Sequence, residues 1–235
     1  MQCGRIVSRN WVVSMRPQLS FQRQVATIAL KASSSLGFVL AGGSALREHG
    51  MTDRPTEDVD LFTNNADPAD FSSAVMSVRE ALKHAGISSE VRRQFETFAS
   101  MQLESAEGDS VVLEMGLDWR AKAEGVMLAI GPVLHRDDAV ANKVLAVFGR
   151  ALPRDFLDLD AIIGSSDYSI ERIFELATHA DPGFNAKYFL VALRAISGIT
   201  AQRVERYGVS EDEWLGITRR VESFAQEVER LYRAE

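Results

Sequence analysis

Gly42-Gly43-Ser44, followed a short connection later by Asp58-Val59-Asp60-Leu61, brings together the residue types that metal-assisted transfer from a nucleoside triphosphate needs. Alternate side chains of a strand share a face, so Asp58 and Asp60 project together while Val59 and Leu61 turn to the core. Two adjacent carboxylates repel each other unless a cation neutralises them. Magnesium takes one or two protein carboxylates and leaves its other positions to water and phosphate oxygens. Two such ions about 4 Å apart would activate an attacking hydroxyl and stabilise a leaving pyrophosphate. Gly42 and Gly43 let the backbone approach a phosphate, and a helix opening behind them offers unpaired N–H groups and the positive end of its dipole. Ser44 is placed either to cap that helix or to donate its hydroxyl to a phosphate oxygen. The plain alternatives are a serine-capped turn and a solvated Asp-x-Asp on an edge strand. The two motifs in succession favour the metal site. Neither a Walker-type lysine nor a Gly-x-Gly-x-x-Gly fingerprint is present.

The elements that must carry these residues follow from periodicity and punctuation. Residues 1–18 have no clear period and are expected to form a poorly ordered start. From about Leu19 to Ser35 the apolar positions Phe21, Val25, Ile28 and Ala29 recur at helical spacing. Phe38–Ala41 reads as a short buried strand, Ser44–His49 as a short helix, and Thr56–Phe62 as the strand bearing the aspartates. Asp67 caps a helix to Ala85 with Pro68 in its first turn. Strand-like runs follow at Ser88–Arg92, Thr97–Glu104, Val111–Leu117 and Val126–Ile130, predicting an antiparallel-rich sheet rather than a repeating strand–helix pattern. Beyond Gly131-Pro132 the chain reads as helices over Asp138–Phe148, Pro153–Ile163, Ile170–His179, Phe184–Ser197 and Glu211–Arg233. The expectation is an α+β chain: an N-terminal segment (1–18), a mixed α/β domain (19–135) and a helical domain (136–235).

Composition narrows the function classes. With 46% hydrophobic and 25% charged residues the chain is ordinary for a globular protein. One cysteine, Cys3, excludes an intramolecular disulfide framework and a cysteine zinc cluster. No run approaches the roughly 20 apolar residues of a membrane span and no secretory signal is visible, so no membrane partner and a cytoplasmic setting are expected. The net charge of −7 argues against bulk, non-specific nucleic-acid binding, which draws on a basic surface. A nucleic-acid substrate would have to be held by local patches such as Arg92-Arg93, Arg120/Lys122 or Arg150/Arg154.

Gly43-Ser44 followed by Asp58-Val59-Asp60 resembles the signature of the nucleotidyltransferase superfamily. The fuller string from Ala41 to Leu46 and from Arg54 to Leu61 is similar, more narrowly, to AbiEii/AbiGii-type toxins. The segment Gly131–His135, with Asp138–Lys143, Arg150, Arg154-Asp155 and Asp158, is similar to that family's second block. The resemblance implies a nucleotidyltransferase-like mixed-sheet domain followed by a helical domain. It implies Asp58 and Asp60 as magnesium ligands, Gly43 and Ser44 (with Gly42 beside them) as triphosphate contacts, Lys143 as the nucleotide-facing cation and Asp155 as an acid important for activity. It also implies a third strand carboxylate as metal ligand and base. Glu114 is favoured because it falls mid-strand; Asp118, four residues on and on the same face, is the alternative. Lys143 lies beside the apolar stripe Val140, Val144, Val147, Phe148, so it either snorkels or enters a cleft. Asp155 would equally suit a helix N-terminus or a pair with Arg150 or Arg154.

The implied activity is transfer of an NMP from an NTP, with Mg2+, to a hydroxyl acceptor. The resemblance points to a tRNA 3′ end as acceptor, in the toxin of a type IV toxin–antitoxin or abortive-infection pair with a cognate antitoxin. Two other readings stand beside it: a small-molecule, antibiotic-type nucleotidyltransferase, and a non-catalytic nucleotide- or antitoxin-binding module.

Overall fold

The computed structural model describes residues 9–122 and 124–232, with side chains from residue 19 onward. Helix α1 spans Arg9–Ser33, starting ahead of the point that periodicity marks. The first eight residues of the expected N-terminal segment lie outside the described residues. The buried stripe Phe21, Val25, Ala26, Ala29, Leu30 is the 3.6-residue pattern realised. A 3₁₀ turn, Ser34–Leu36, and Gly37 at φ +78° reverse the chain into β1, Val39–Leu40.

Helix α2 is Gly42–Glu48, and β2 is Asp58–Thr63. Helix α3, Pro68–His84, is capped by Asp67, whose carboxylate accepts from the N–H groups of Ala69 (2.7 Å) and Asp70 (3.1 Å). Strands β3 (Ser88–Phe95), β4 (Phe98–Glu104) and β5 (Ser110–Leu117) form a meander. Two three-residue strands, β6 (Val126–Leu128) and β7 (Gly131–Val133), complete a seven-stranded sheet of order β3-β4-β5-β2-β1-β7-β6. The pairs β1–β2, β3–β4, β4–β5 and β6–β7 are antiparallel; β2–β5 and β1–β7 are parallel.

The sheet is therefore mixed and antiparallel-rich, as its short connections predict. Strand β7 is not visible as a periodic run; it is held by pairing to β1 and β6. Helices α1 and α3 pack together and close one face of the sheet.

On β2, Val59 and Leu61 are fully buried while Asp58, Asp60 and Phe62 are half-buried on the opposite face. Burying each of those two apolar side chains contributes roughly 1.5–3 kcal/mol, which fixes the face the aspartates present. The face they occupy meets the helical half: α4 (Arg136–Gly149), α5 (Pro153–Gly164), α6 (Ile170–Ala180), α7 (Ala186–Arg194) and α8 (Glu211–Tyr232). Helix α4 packs on α2, α5, α6 and α7, and an aromatic cluster of Phe148, Phe174, Phe184 and Phe189 fills the helical core. Among the described residues no helix is long and apolar enough to cross a membrane.

Candidate active site

A cleft of about 420 Å³ opens between the exposed face of β2–β5 and helix α4. Its floor is laid by register. Asp60 stands opposite Glu114 and Phe62 opposite Gly116 across the parallel β2–β5 pair, so Asp58, Asp60 and Glu114 form one acidic group. Asp118 continues the line past the end of β5, where its N–H donates to the Thr63 carbonyl (2.9 Å). Asp58, Asp60, Glu114, Asp118, Gly42, Gly43 and Lys143 all line this cleft.

The glycine turn is shaped by the aspartate it faces. Ala41 N–H still bonds to the Asp60 carbonyl (2.9 Å), after which Gly42 turns at φ +59°. A Cβ on Gly42 would lie 1.7 Å from Asp60 Oδ2, and one on Gly43 2.7 Å from Arg54 Nη2. A side chain at Gly42 would be strained by φ as well as by Asp60, and one at Gly43 would have to displace Arg54 and Thr56. Gly42, Gly43 and Ser44 form the first helical turn, whose N–H groups have no intrahelical acceptor.

Ser44 itself is not brought into the cleft. It is the third residue of α2 rather than its cap (Ala41 holds that place), and its hydroxyl lies 3.3 Å from Thr56 Oγ1 in a buried seam. Gln22 of α1 completes that seam, donating to the Thr56 carbonyl (2.7 Å) and accepting from Thr56 Oγ1 (3.0 Å). The backbone of Gly42 and Gly43, not the serine side chain, is what this conformation offers a phosphate.

Electrostatics sets the acidic group apart. Burial, then the charge of Asp58, pushes the Asp60 carboxyl up to about 7; Glu114 adds to the push, while Lys143 and Arg154 oppose it. Burial and the neighbouring acids outweigh these two cations. Asp58 Oδ2 has Arg154 Nη1 at 3.6 Å, and the same nitrogen lies 3.3 Å from Glu57 Oε2. Arg206 pairs with Glu57 from the other side.

The donor set, two carboxylates on one strand face and a third in register opposite, is of the oxygen type that a divalent cation takes. Among the described residues no group of three or more His, Cys, Asp or Glu side chains is close enough to hold a metal ion. A magnesium ion gripped by one or two carboxylates does not require one.

Lys143 enters from the α4 wall, nearly buried, with Nζ 3.0 Å from Asp158 Oδ2. Asp158 is completely buried and also takes both arms of Arg54, Nε at 2.9 Å and Nη2 at 3.0 Å. Burial alone would raise the Asp158 carboxyl, but Lys143 and Arg54 outweigh it and hold it below the usual carboxylate range. Arg54 further donates to the Pro55 carbonyl (2.8 Å) and lies 5.5 Å from the centre of the Tyr207 ring.

Asp155, three residues before Asp158, is turned out of the cleft. It is fully buried, receives Nε and Nη2 of Arg150 (2.9 Å each), and accepts the Leu152 N–H (3.1 Å). Its place is a brace at the start of α5.

Spacing alone does not assign Arg54, Asp158 and Glu57 these positions. Arg54 and Glu57 sit in a connection without periodicity, and the partner of Arg54 lies 104 residues away. The available signal is the pair of motif strings in which Arg54 and Asp158 occur.

With this geometry in place, a family model described as nucleotidyl transferase AbiEii toxin, type IV TA system, matches residues 27–230. The chain belongs to the AbiEii nucleotidyltransferase toxin family. Among solved structures it is similar to a candidate nucleotidyltransferase of Helicobacter pylori (TM-score 0.55, 15% identity, 94% of this chain and 98% of that one). It is similar to JHP933 of the same species (TM-score 0.51, 15% identity, 96% of each chain). It is similar also to MenT4, a nucleotidyltransferase toxin of Mycobacterium tuberculosis (TM-score 0.55, 17% identity, 93% and 91%). At these identities the likeness establishes the fold. No match to a curated protein was found.

An AbiEii chain is a nucleotidyltransferase, with an NTP as substrate and, in a type IV system, an antitoxin as partner. The expected enzyme class and α+β fold are thus borne out.

Proposed function

We propose that this AbiEii chain transfers an NMP from an NTP to a tRNA 3′ end in a magnesium-dependent reaction, and that this is the basis of its toxicity. The observation that carries the reading is the Asp58–Asp60 pair, with Asp60 against the Gly42 turn and Glu114 in register beside it. Asp58 and Asp60, with Glu114, would hold the divalent ion. When bound, the ion neutralises charge on the phosphates and lowers the pKa of the attacking hydroxyl. Gly42 and Gly43 receive the triphosphate tail through backbone N–H groups. Lys143, fixed by Asp158, presents a positive charge where the phosphates lie. Glu114, in register beside Asp60, would accept the acceptor's hydroxyl proton as the new O–Pα bond forms and the Pα–O bond to pyrophosphate breaks.

Arg150 and Arg154, which line the cleft, are the local positive charge available to an RNA acceptor on an acidic chain. Incubation with labelled NTPs, Mg2+ and total RNA tests the reading. Label is expected on tRNA and lost with Asp60→Ala. Label confined to small molecules would replace the RNA acceptor with a small cationic one, for which the acids Glu114 and Asp118 on the cleft floor are suited.

A further inference from the structure

Floor and wall of the cleft change character along their length. On β2 the cleft-facing residues run Asp58, Asp60, Phe62; on β5 and beyond they run Glu114, Gly116, Asp118. The ring of Phe62 lies over Gly116, where an added Cβ would meet its Cδ1 and Cε1 at 3.6 Å. Along the α4 wall Asn142 stands beside Asp118, and Arg150, about two turns further on, lies toward Asp60 and Asp58. One end therefore gathers the cations and the glycine turn, and the other holds an aromatic platform closed by a polar pair. Same-face strand neighbours are about 7 Å apart, so the platform begins about 7 Å beyond the Asp60 level and Asp118 stands about 7 Å further.

The polar pair has a defined sense. Asn142 Nδ2 donates to Asp118 Oδ2 (2.7 Å), which orients the amide; the Trp119 N–H also bonds to the carboxylate, whose remaining lone pairs can still accept, with the second Nδ2 hydrogen as a donor next to them. Both residues line the cleft and both are half-buried.

We propose that Phe62, Asp118 and Asn142 form the base-reading subsite of the cleft, selecting a nucleobase with an exocyclic amino group, cytosine or adenine, over one with a carbonyl there. This rests on the reading of the cleft as an NTP site and adds which NTP it takes. The amino hydrogen of cytosine or adenine meets the Asp118 carboxylate, and the adjacent ring nitrogen accepts from Asn142. Uracil reverses both groups, setting O4 against a carboxylate and N3–H against an amide hydrogen. A hydrogen bond to a charged group lost in this way corresponds to about 10- to 100-fold in affinity.

The test is calorimetric titration of the whole chain, with magnesium and no acceptor, using non-hydrolysable analogues of two matched pairs, CTP against UTP and ATP against ITP. Each pair shares sugar and triphosphate and differs in the group that Asp118 would read. The amino-bearing member of at least one pair is expected to bind about 10- to 100-fold tighter. In Asp118→Asn that preference should fall to within about threefold, because an amide can present either an acceptor or a donor. If Asp118→Asn does not fold, Asn142→Ala and the wild-type comparison decide. Equal affinities within both pairs, tighter binding of UTP or ITP, or a preference that survives in Asp118→Asn would overturn the subsite while leaving the NTP reading intact. Binding of none of the four analogues would overturn the NTP reading itself.

Discussion

Asp158→Asn isolates the part of the site that does no chemistry of its own. Asp158 is completely buried and neutralises two cations at once, the Lys143 ammonium at 3.0 Å and the Arg54 guanidinium through two contacts at 2.9 and 3.0 Å. At an effective dielectric of about 20, one unit charge pair at that separation is worth roughly 5 kcal/mol before desolvation. The variant keeps the shape but strands two nearly buried positive charges, and breaking a buried ion pair from one side costs about 3–5 kcal/mol. Urea denaturation of wild type and variant at pH 7 should show a loss of that order with an unchanged slope.

The pH dependence carries the sign. The folded Asp158 carboxyl titrates below its unfolded value, so its stabilisation is present above the ordinary carboxylate range and is lost as pH falls through the folded pKa. The gap between variant and wild type should therefore hold from pH 8 to about 5 and close in acid. Inorganic triphosphate, as a replacement anion for Lys143 and Arg54, should stabilise the variant more than the wild type. A loss under about 1 kcal/mol at pH 7, or a gap that widens in acid, would refute the claim that Asp158 holds these cations.

Asp60→Asn should abolish transfer yet raise the stability of the metal-free protein by about 1–2 kcal/mol at pH 8, a gain that shrinks below pH 7 and vanishes near pH 4, because ionising a carboxyl held near 7 costs the folded state stability as pH rises from about 4 through 7. Thermal melts across pH without cation read this out. For the same reason wild-type affinity for Mg2+ should weaken below pH 7, approaching tenfold per pH unit, in titrations followed by calorimetry. Gly42→Ala should lose transfer and about 1–2 kcal/mol of stability, since its Cβ would stand 1.7 Å from Asp60 Oδ2 at a positive φ; an active, equally stable variant would refute the close approach. Asp155→Asn should lose about 2–4 kcal/mol by urea denaturation while NTP affinity stays within about threefold, and a selective loss of affinity would place Asp155 in the site after all.

Periodicity reached the elements whose burial alternates cleanly. Asp58, Asp60 and Phe62 face away from Val59 and Leu61 because a period of two leaves β2 one choice of face. The Asp67-Pro68 start of α3 was readable because cap and first-turn chemistry is local. Strand β7 was not readable: Gly131-Pro132-Val133 has no period, carries a proline, and is a strand only because β1 and β6 flank it. Ser44 looked like a cap or a phosphate donor from its neighbours in sequence, whereas its surroundings are Thr56 and, through it, Gln22 of a helix that local pattern does not connect to it. Asp155 and Asp158 are both buried acids near the start of α5; the Asp155 partner Arg150 is five residues away and legible as a pair, whereas the Asp158 partner Arg54 lies 104 residues away and is not.

The pairing of β7 with β1 limits how the two sides of the cleft can move. Leu134 N–H bonds to the Leu40 carbonyl (2.8 Å) and His49 Nε2 donates to the Leu134 carbonyl (2.8 Å), and α4 begins two residues later. The helix bearing Lys143 is therefore tied to the sheet at its root. Any widening of the cleft has to come from further along α4 or from the side chains on its walls.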